Sequence, residues 1–238
     1  MNALRRTPTL AQQVWLLLQK DLRVEMRTGE VVATSLLFSA VLVSLFVFAG
    51  FSTRKAASEG APGLLWMASA FVAVLVVTRT FEREREDGAV TALLLIPGAS
   101  TALFFAKLAY NWLLLTLVQG VLLLLVGGVF SVDWFAHGFA VAGALLLGGF
   151  GLCAVGTTLA ALLAAMRLRE VIVPVVLFPL CVPLLIAGAQ ASVAAIRGQN
   201  SGAWMVTILL FDLLFVGLGQ WLFGLALEGA GGGEGDSE

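Results

Sequence analysis

Apolar residues along this chain fall into six long runs separated by short polar or charged segments. The first, VVATSLLFSAVLVSLFVFAGF, starts at Val31, and the second, APGLLWMASAFVAVLVVTRTF, at Ala61. The third extends from Lys107 to Phe130 and the fourth from Gly138 to Met166. The fifth, VIVPVVLFPLCVPLLIAGAQ, starts at Val171, and the sixth runs from Ala203 to Leu227. A helix needs about 20 apolar residues to cross the hydrocarbon of a bilayer. In lipid every backbone amide needs a partner inside the protein, so runs this long predict helices rather than barrel strands. The expected fold is all-α, a polytopic membrane protein whose six transmembrane helices form one domain over residues 31–227.

Ahead of the first run lies TLAQQVWLLLQKDLRVEMRTGE, Thr9 to Glu30. Ala11, Val14, Trp15, Leu18, Leu22 and Met26 recur at helical spacing, with Gln12, Gln19, Lys20, Arg23 and Arg27 on the other side. This predicts an amphipathic helix in the membrane interface, with Trp15 at headgroup level. Arg23, Glu25 and Arg27 argue against its continuing the first span into the bilayer. The tail from 228 to 238 is acidic and glycine-rich and is expected to be disordered.

Composition agrees with a lipid environment. Hydrophobic residues make up 60% of the 238 positions, and mean hydropathy is +0.99, more apolar surface than a soluble domain of this length can bury. The net charge of −1 brings no basic patch, so nucleic acid is not an expected partner. Charges from Lys20 to Arg27 fall where the apolar core of a secretory signal would stand, so none is expected. Lysine and arginine set the orientation. With the N-terminus inside, Arg5, Arg6, Lys20, Arg23, Arg27, Arg79, Arg83, Arg85, Lys107, Arg167 and Arg169 lie inside. Only Arg54, Lys55 and Arg197 lie outside, so both termini are expected to be cytoplasmic.

Few residues suggest chemistry. Cys153 and Cys181 both fall in apolar runs and read as buried free thiols. The single histidine, His137, is a weak candidate haem or metal ligand; a solvated interfacial histidine beside Trp134 is the simpler reading. No cluster has metal-ligand spacing with it, and no nucleophilic set is placed for catalysis, so no catalytic residue is expected. Asp212 stands near the middle of the sixth run, where a carboxylate is a functional candidate by default. Gln119 and Asn111 in the third run are its candidate partners, and the alternative is an interhelical hydrogen bond that holds the bundle together. Pro174, Pro179 and Pro183 interrupt the fifth run and predict a kinked helix, static or moving. The AGAQASVAAIRGQN that follows suggests a short external or re-entrant helix. No GxxxxGK[ST] phosphate loop occurs, so an ATP site, if one drives this chain, belongs to another polypeptide.

The segment 82–100 stands out. Six consecutive charges, Glu82 to Asp87, occur in a chain that is 12% charged. Gly88 follows, and then Val90, Leu93, Leu94 and Pro97 put an apolar stripe on a short helix. A short helix with a charged entrance and one apolar face suits docking on a soluble partner. It equally suits a helix resting on lipid.

EDGAVTALLLIP is similar to the cytoplasmic loop of type-2 ABC transporter permeases, in which an acidic residue, a glycine, a leucine pattern and a proline form the coupling helix. More narrowly, the chain resembles the cytochrome c maturation protein B family, also called haem exporter protein B. Four stretches carry the likeness: KDLRVEMRTGE; GLLWMASAFVAVLVVTRTFEREREDGAVTALLLIP; AKLAYNWLLL; and FPLCVPLLIAGAQA. The chain departs from the family's usual acidic residue at Thr91 and its usual serine at Ile96, and the likeness weakens after Ile196. The resemblance implies a permease subunit of a bacterial inner membrane. Glu86, Asp87, Gly88, Val90, Leu93, Leu94 and Pro97 would dock on a separate cytoplasmic ATPase that binds ATP. Further implied partners are a haem-handling membrane protein with its small companion and a periplasmic haem chaperone. Haem itself would be handled by the complex, either carried by this chain or released with the loaded chaperone. A type-2 permease for a lipid, glycan or drug, or a non-transporting membrane scaffold, are the alternative readings.

Overall fold

The computed structural model describes residues 9–49, 54–86, 99–132, 134, 138–163, 166 and 168–231. Seven helices account for nearly all of them: α1 (Leu10–Thr28), α2 (Glu30–Phe48), α3 (Arg54–Glu86), α4 (Ala99–Phe130), α5 (Gly138–Leu162), α6 (Arg169–Ile196) and α7 (Gly202–Gly231). No strand occurs among the described residues. Six helices, α2 to α7, are long and apolar enough to cross a membrane. The all-α architecture with six spans is as the hydropathy pattern predicts.

α3 is the central helix and packs against α2, α4, α5 and α6. α5 makes the most extensive contacts, with α7 and α6, whereas α2 and α7 present most of their surface outward. Outward side chains such as Leu37, Leu45, Leu210 and Leu213 are apolar, as a lipid-facing surface requires.

The helix ends follow local chemistry. Thr9 and Gln12 cap α1 reciprocally, each side chain bonding the other's backbone N–H. α1 then stops at Gly29, whose φ of 60° lies in the left-handed region open to glycine. α2 starts at the next residue, so Gly29 ends one helix and begins another.

Several boundaries differ from expectation. α3 does not end with the second apolar run at Phe81 but continues as helix through Glu86, because the alternating Glu and Arg residues there are strong helix formers. α4 starts at Ala99 rather than near Lys107. Lys107 looks like a span boundary because it is charged, yet its ammonium is neutralised by Asp21 of α1 and lies inside the fold. The segment after the fifth run is not a separate helix: α6 runs unbroken from Arg169 to Ile196 and closes at Gly198.

α7 extends to Gly231, so 228–231, expected to belong to a disordered tail, instead continue the helix of the sixth span. The rest of the tail, 232–238, lies outside the described residues.

Candidate coupling site and buried polar residues

The segment singled out by its charge and leucine pattern joins α3 to α4. Asp87, Gly88, Val90, Leu93, Leu94 and Pro97 lie outside the described residues, as does His137. Glu86 is the last residue of α3. The structure does describe the two arms that carry the segment, and what holds them.

The α4 arm is held by α1. Two acidic residues one turn apart on α1, Asp21 and Glu25, face two residues one turn apart on α4, Lys107 and Tyr110. Lys107 Nζ donates to Asp21 Oδ2 at 2.7 Å, with only 3% of the lysine side chain exposed. The Tyr110 hydroxyl donates to Glu25 Oε2 at 3.4 Å. The other carboxylate oxygen, Glu25 Oε1, accepts the backbone N–H groups of Val31 at 2.9 Å and Val32 at 3.0 Å. Those are donors in the first turn of α2 that have no partner within their own helix. A negative charge there also meets the positive end of the helix dipole. Glu25 is therefore buried, at 4% exposure, with both oxygens engaged.

α1 thus has a buried face as well as an exposed one. Leu18, Asp21 and Glu25 turn toward the bundle, while Trp15 and Met26 are exposed. The sequence pattern reads Glu25 as an obstacle to membrane depth and both Asp21 and Glu25 as charges that interrupt a secretory signal, and gives neither a partner. Their spacing of four puts both on one face of α1.

On the α3 side an ion pair reaches α2. Arg79 Nη1 lies 3.9 Å from Glu30 Oε1, with both side chains about half exposed. Exposed pairs of this length contribute little, about 0–1 kcal/mol.

Within the spans the buried polar residues separate. Asn111 donates to the Thr157 hydroxyl at 3.0 Å, joining α4 to α5. Gln119 lies against Gly149 of α5, where a β-carbon would sit 2.9 Å from its Oε1. Asp212 is 3% exposed and reaches from α7 over Gly151 of α5, beside Leu184 of α6. Gly149 and Gly151 are two residues apart on one helix, roughly 200° around its axis, so α5 stands between Gln119 and Asp212. Neither Gln119 nor Asn111 bonds to Asp212, and both carboxyl oxygens lack a hydrogen-bond partner among the described residues. The pairing that sequence reasoning offers Asp212 is absent because α5 intervenes.

Pro174, Pro179 and Pro183 all lie inside α6, which is helical throughout. Pro179 and Pro183 face outward, whereas Val173, Leu177, Cys181 and Leu184 form the packed face. Cys153 and Cys181 are free and buried, as their apolar surroundings predict.

The family model for the CcmB protein matches residues 12–229. Heme exporter protein B of Bradyrhizobium diazoefficiens is 28% identical, over 89% of this chain and 96% of the relative. The Pseudomonas aeruginosa protein of that name is 27% identical over 83% of this chain and 90% of its own length. That of Paracoccus denitrificans is 30% identical over 82% and 87%. The family match extends well past Ile196, where the motif resemblance fades, and takes in the sixth span. With six helices able to cross a membrane and a family match over most of its length, the chain belongs to the CcmB protein family.

Proposed function

We propose that this chain is the membrane permease subunit of an ABC transporter complex for cytochrome c maturation. It couples ATP hydrolysis by a separate cytoplasmic subunit to haem export or to release of the haem-loaded periplasmic chaperone. The observation that carries this reading is the match to heme exporter protein B over most of the chain, with EDGAVTALLLIP between two membrane-spanning helices.

The short segment Val90 to Leu95 acts as the coupling helix, docking its leucine stripe on the ATPase. A ligand moves an equilibrium only by its differential affinity for the two states. The stripe therefore binds one conformation of the ATPase better than the other, and the motion enters the bundle through α3 and α4. The complex sits in the bacterial inner membrane with both termini of this chain cytoplasmic, as the distribution of lysine and arginine favours. A haem-handling membrane protein, its small companion and the periplasmic chaperone complete the assembly.

Purification of the tagged chain in mild detergent from its own membrane, with partners identified by mass spectrometry, tests the reading. The expected result is an ATP-binding subunit together with haem-handling maturation proteins. An ATPase without them indicates a type-2 permease for another substrate. A well-folded preparation with no ATPase indicates a scaffold and removes the coupling role.

A further inference from the structure

An open groove follows the seam between α3 and α6. Gly63, Met67 and Ala70 of α3 line it with Leu185, Ile186 and Ala189 of α6, around a cavity of about 420 Å³. A β-carbon at Gly63 would meet nothing within 4 Å, so the groove is open there. Phe71 and Phe178, with ring centroids 4.8 Å apart, join the two helices at its inner end. Gly63 to Phe71 spans roughly 12 Å of helix, against about 15 Å for half the hydrocarbon of a bilayer. The groove is about one leaflet deep.

One turn further along both helices its character changes. Glu59 of α3 and Arg197, directly after α6, line a second cavity of about 370 Å³ with Ser58 and Ser131. This mouth continues the groove: Pro62 adjoins Gly63, and Val193 lies one turn beyond Ala189. The span of α3 starts at Ser58, that of α4 ends at Phe130 and that of α6 at Ile196, which puts the mouth at headgroup level. Glu59 and Arg197 are both exposed, and no ion pair joins them among the described residues. An anion and a cation left apart at headgroup level, over an apolar groove, match an amphiphile that carries both charges at one end.

We infer that the α3–α6 groove is a binding site for one zwitterionic phospholipid, with its phosphate on Arg197, its ammonium on Glu59 and an acyl chain along Gly63. The guanidinium fork suits a phosphate. A primary ammonium has N–H donors for the Glu59 carboxylate, which favours phosphatidylethanolamine over phosphatidylcholine, whose quaternary nitrogen has none. An anionic lipid would satisfy Arg197 and leave Glu59 unmatched. A soluble phosphate would use the mouth and forgo the contacts that an acyl chain makes with the groove walls. Haem brings only anionic carboxylates, which Glu59 disfavours, and neither histidine nor cysteine is among the described residues that line the groove or its mouth. The site does not depend on what the chain transports.

The test is native mass spectrometry of the full chain, delipidated in detergent and titrated with one lipid at a time. One phosphatidylethanolamine is expected to bind, about tenfold tighter than phosphatidylglycerol or phosphatidylcholine, as one hydrogen bond to a charged group implies. Arg197→Gln should weaken all three lipids about tenfold. Glu59→Gln should abolish the preference for phosphatidylethanolamine and leave phosphatidylcholine binding unchanged. Gly63→Phe, which fills the open groove, should weaken all three. All three positions are exposed, so thermal unfolding should be unaltered and lost binding is not lost fold; if Gly63→Phe does unfold, the two charge variants still decide. Equal affinity for the three lipids means ordinary annular lipid and overturns the inference, as does binding that Arg197→Gln leaves undiminished. Glycerophosphoethanolamine, the headgroup without chains, should compete far more weakly than the lipid; equal competition would overturn the inference in favour of a soluble phosphate ester. Displacement of the bound lipid by one equivalent of haem would overturn it in favour of a haem seat.

Discussion

Trp66 of α3 donates its indole N–H to the hydroxyl of Ser192 in α6 at 3.0 Å. Its ring lies over Gly188, one turn earlier on the same helix, and over Gly148 of α5. One side chain thus pins three helices at a point where two glycines leave room for it. A β-carbon at either glycine would collide with the ring.

Gly188→Val should therefore displace Trp66, break its bond to Ser192, and destabilise the bundle by about 1–3 kcal/mol, the usual range for overpacking. Thermal unfolding in detergent, followed by tryptophan fluorescence, reads both effects. An unchanged transition would mean that the ring does not occupy this site. Trp66→Phe, which removes the N–H and shrinks the ring, should be milder than Gly188→Val.

Replacing Leu93 and Leu94 together with aspartate should uncouple the ATPase while leaving the bundle folded. Cytochrome c yield in cells is expected to fall at least tenfold with the amount of chain in the membrane unchanged. Normal yield would sink the docking role of this stripe.

Asp212 makes a different prediction. No donor faces its carboxyl among the described residues, so Asp212→Asn removes no internal hydrogen bond and should shift stability by less than about 1 kcal/mol. Gly151→Val, by contrast, pushes side-chain carbon into Asp212 and Leu184 and should destabilise by about 1–3 kcal/mol. A loss well above 1 kcal/mol in Asp212→Asn, measured in the assembled complex, would show that a partner subunit supplies the missing donor.

Gly29→Ala tests the α1–α2 junction. A β-carbon meets nothing within 4 Å there, so any penalty comes from the φ of 60° rather than from a clash. Non-glycine residues pay about 1–2 kcal/mol in the left-handed region. The variant should lose about that much stability in thermal unfolding and leave the other helices intact by circular dichroism. Gly29→Asn, which tolerates this conformation better, should lose less.

Much of the fold is legible along the chain because the bilayer imposes one simple demand. Each span must be apolar for about 20 residues and helical throughout. The six runs therefore announce themselves, as do the separate amphipathic helix before Gly29 and the buried state of Cys153 and Cys181. Family membership is likewise legible, through short motifs such as EDGAVTALLLIP and FPLCVPLLIAGAQA.

Pairing between helices is not legible in the same way. In lipid nearly every span is apolar on all sides, so periodicity does not say which face meets which neighbour. Only the tertiary structure brings Asp21 and Glu25 onto Lys107 and Tyr110, more than eighty residues away in sequence. Only it seats Trp66 on Gly148 and Gly188, and puts α5 between Asp212 and Gln119. Along the chain, Lys107 is a charge that ends a span; in the fold it is a neutralised partner inside one. Hydropathy depends on a residue's own transfer into lipid and is written in the sequence. A buried charge depends on where its counter-charge arrives, and packing alone decides that.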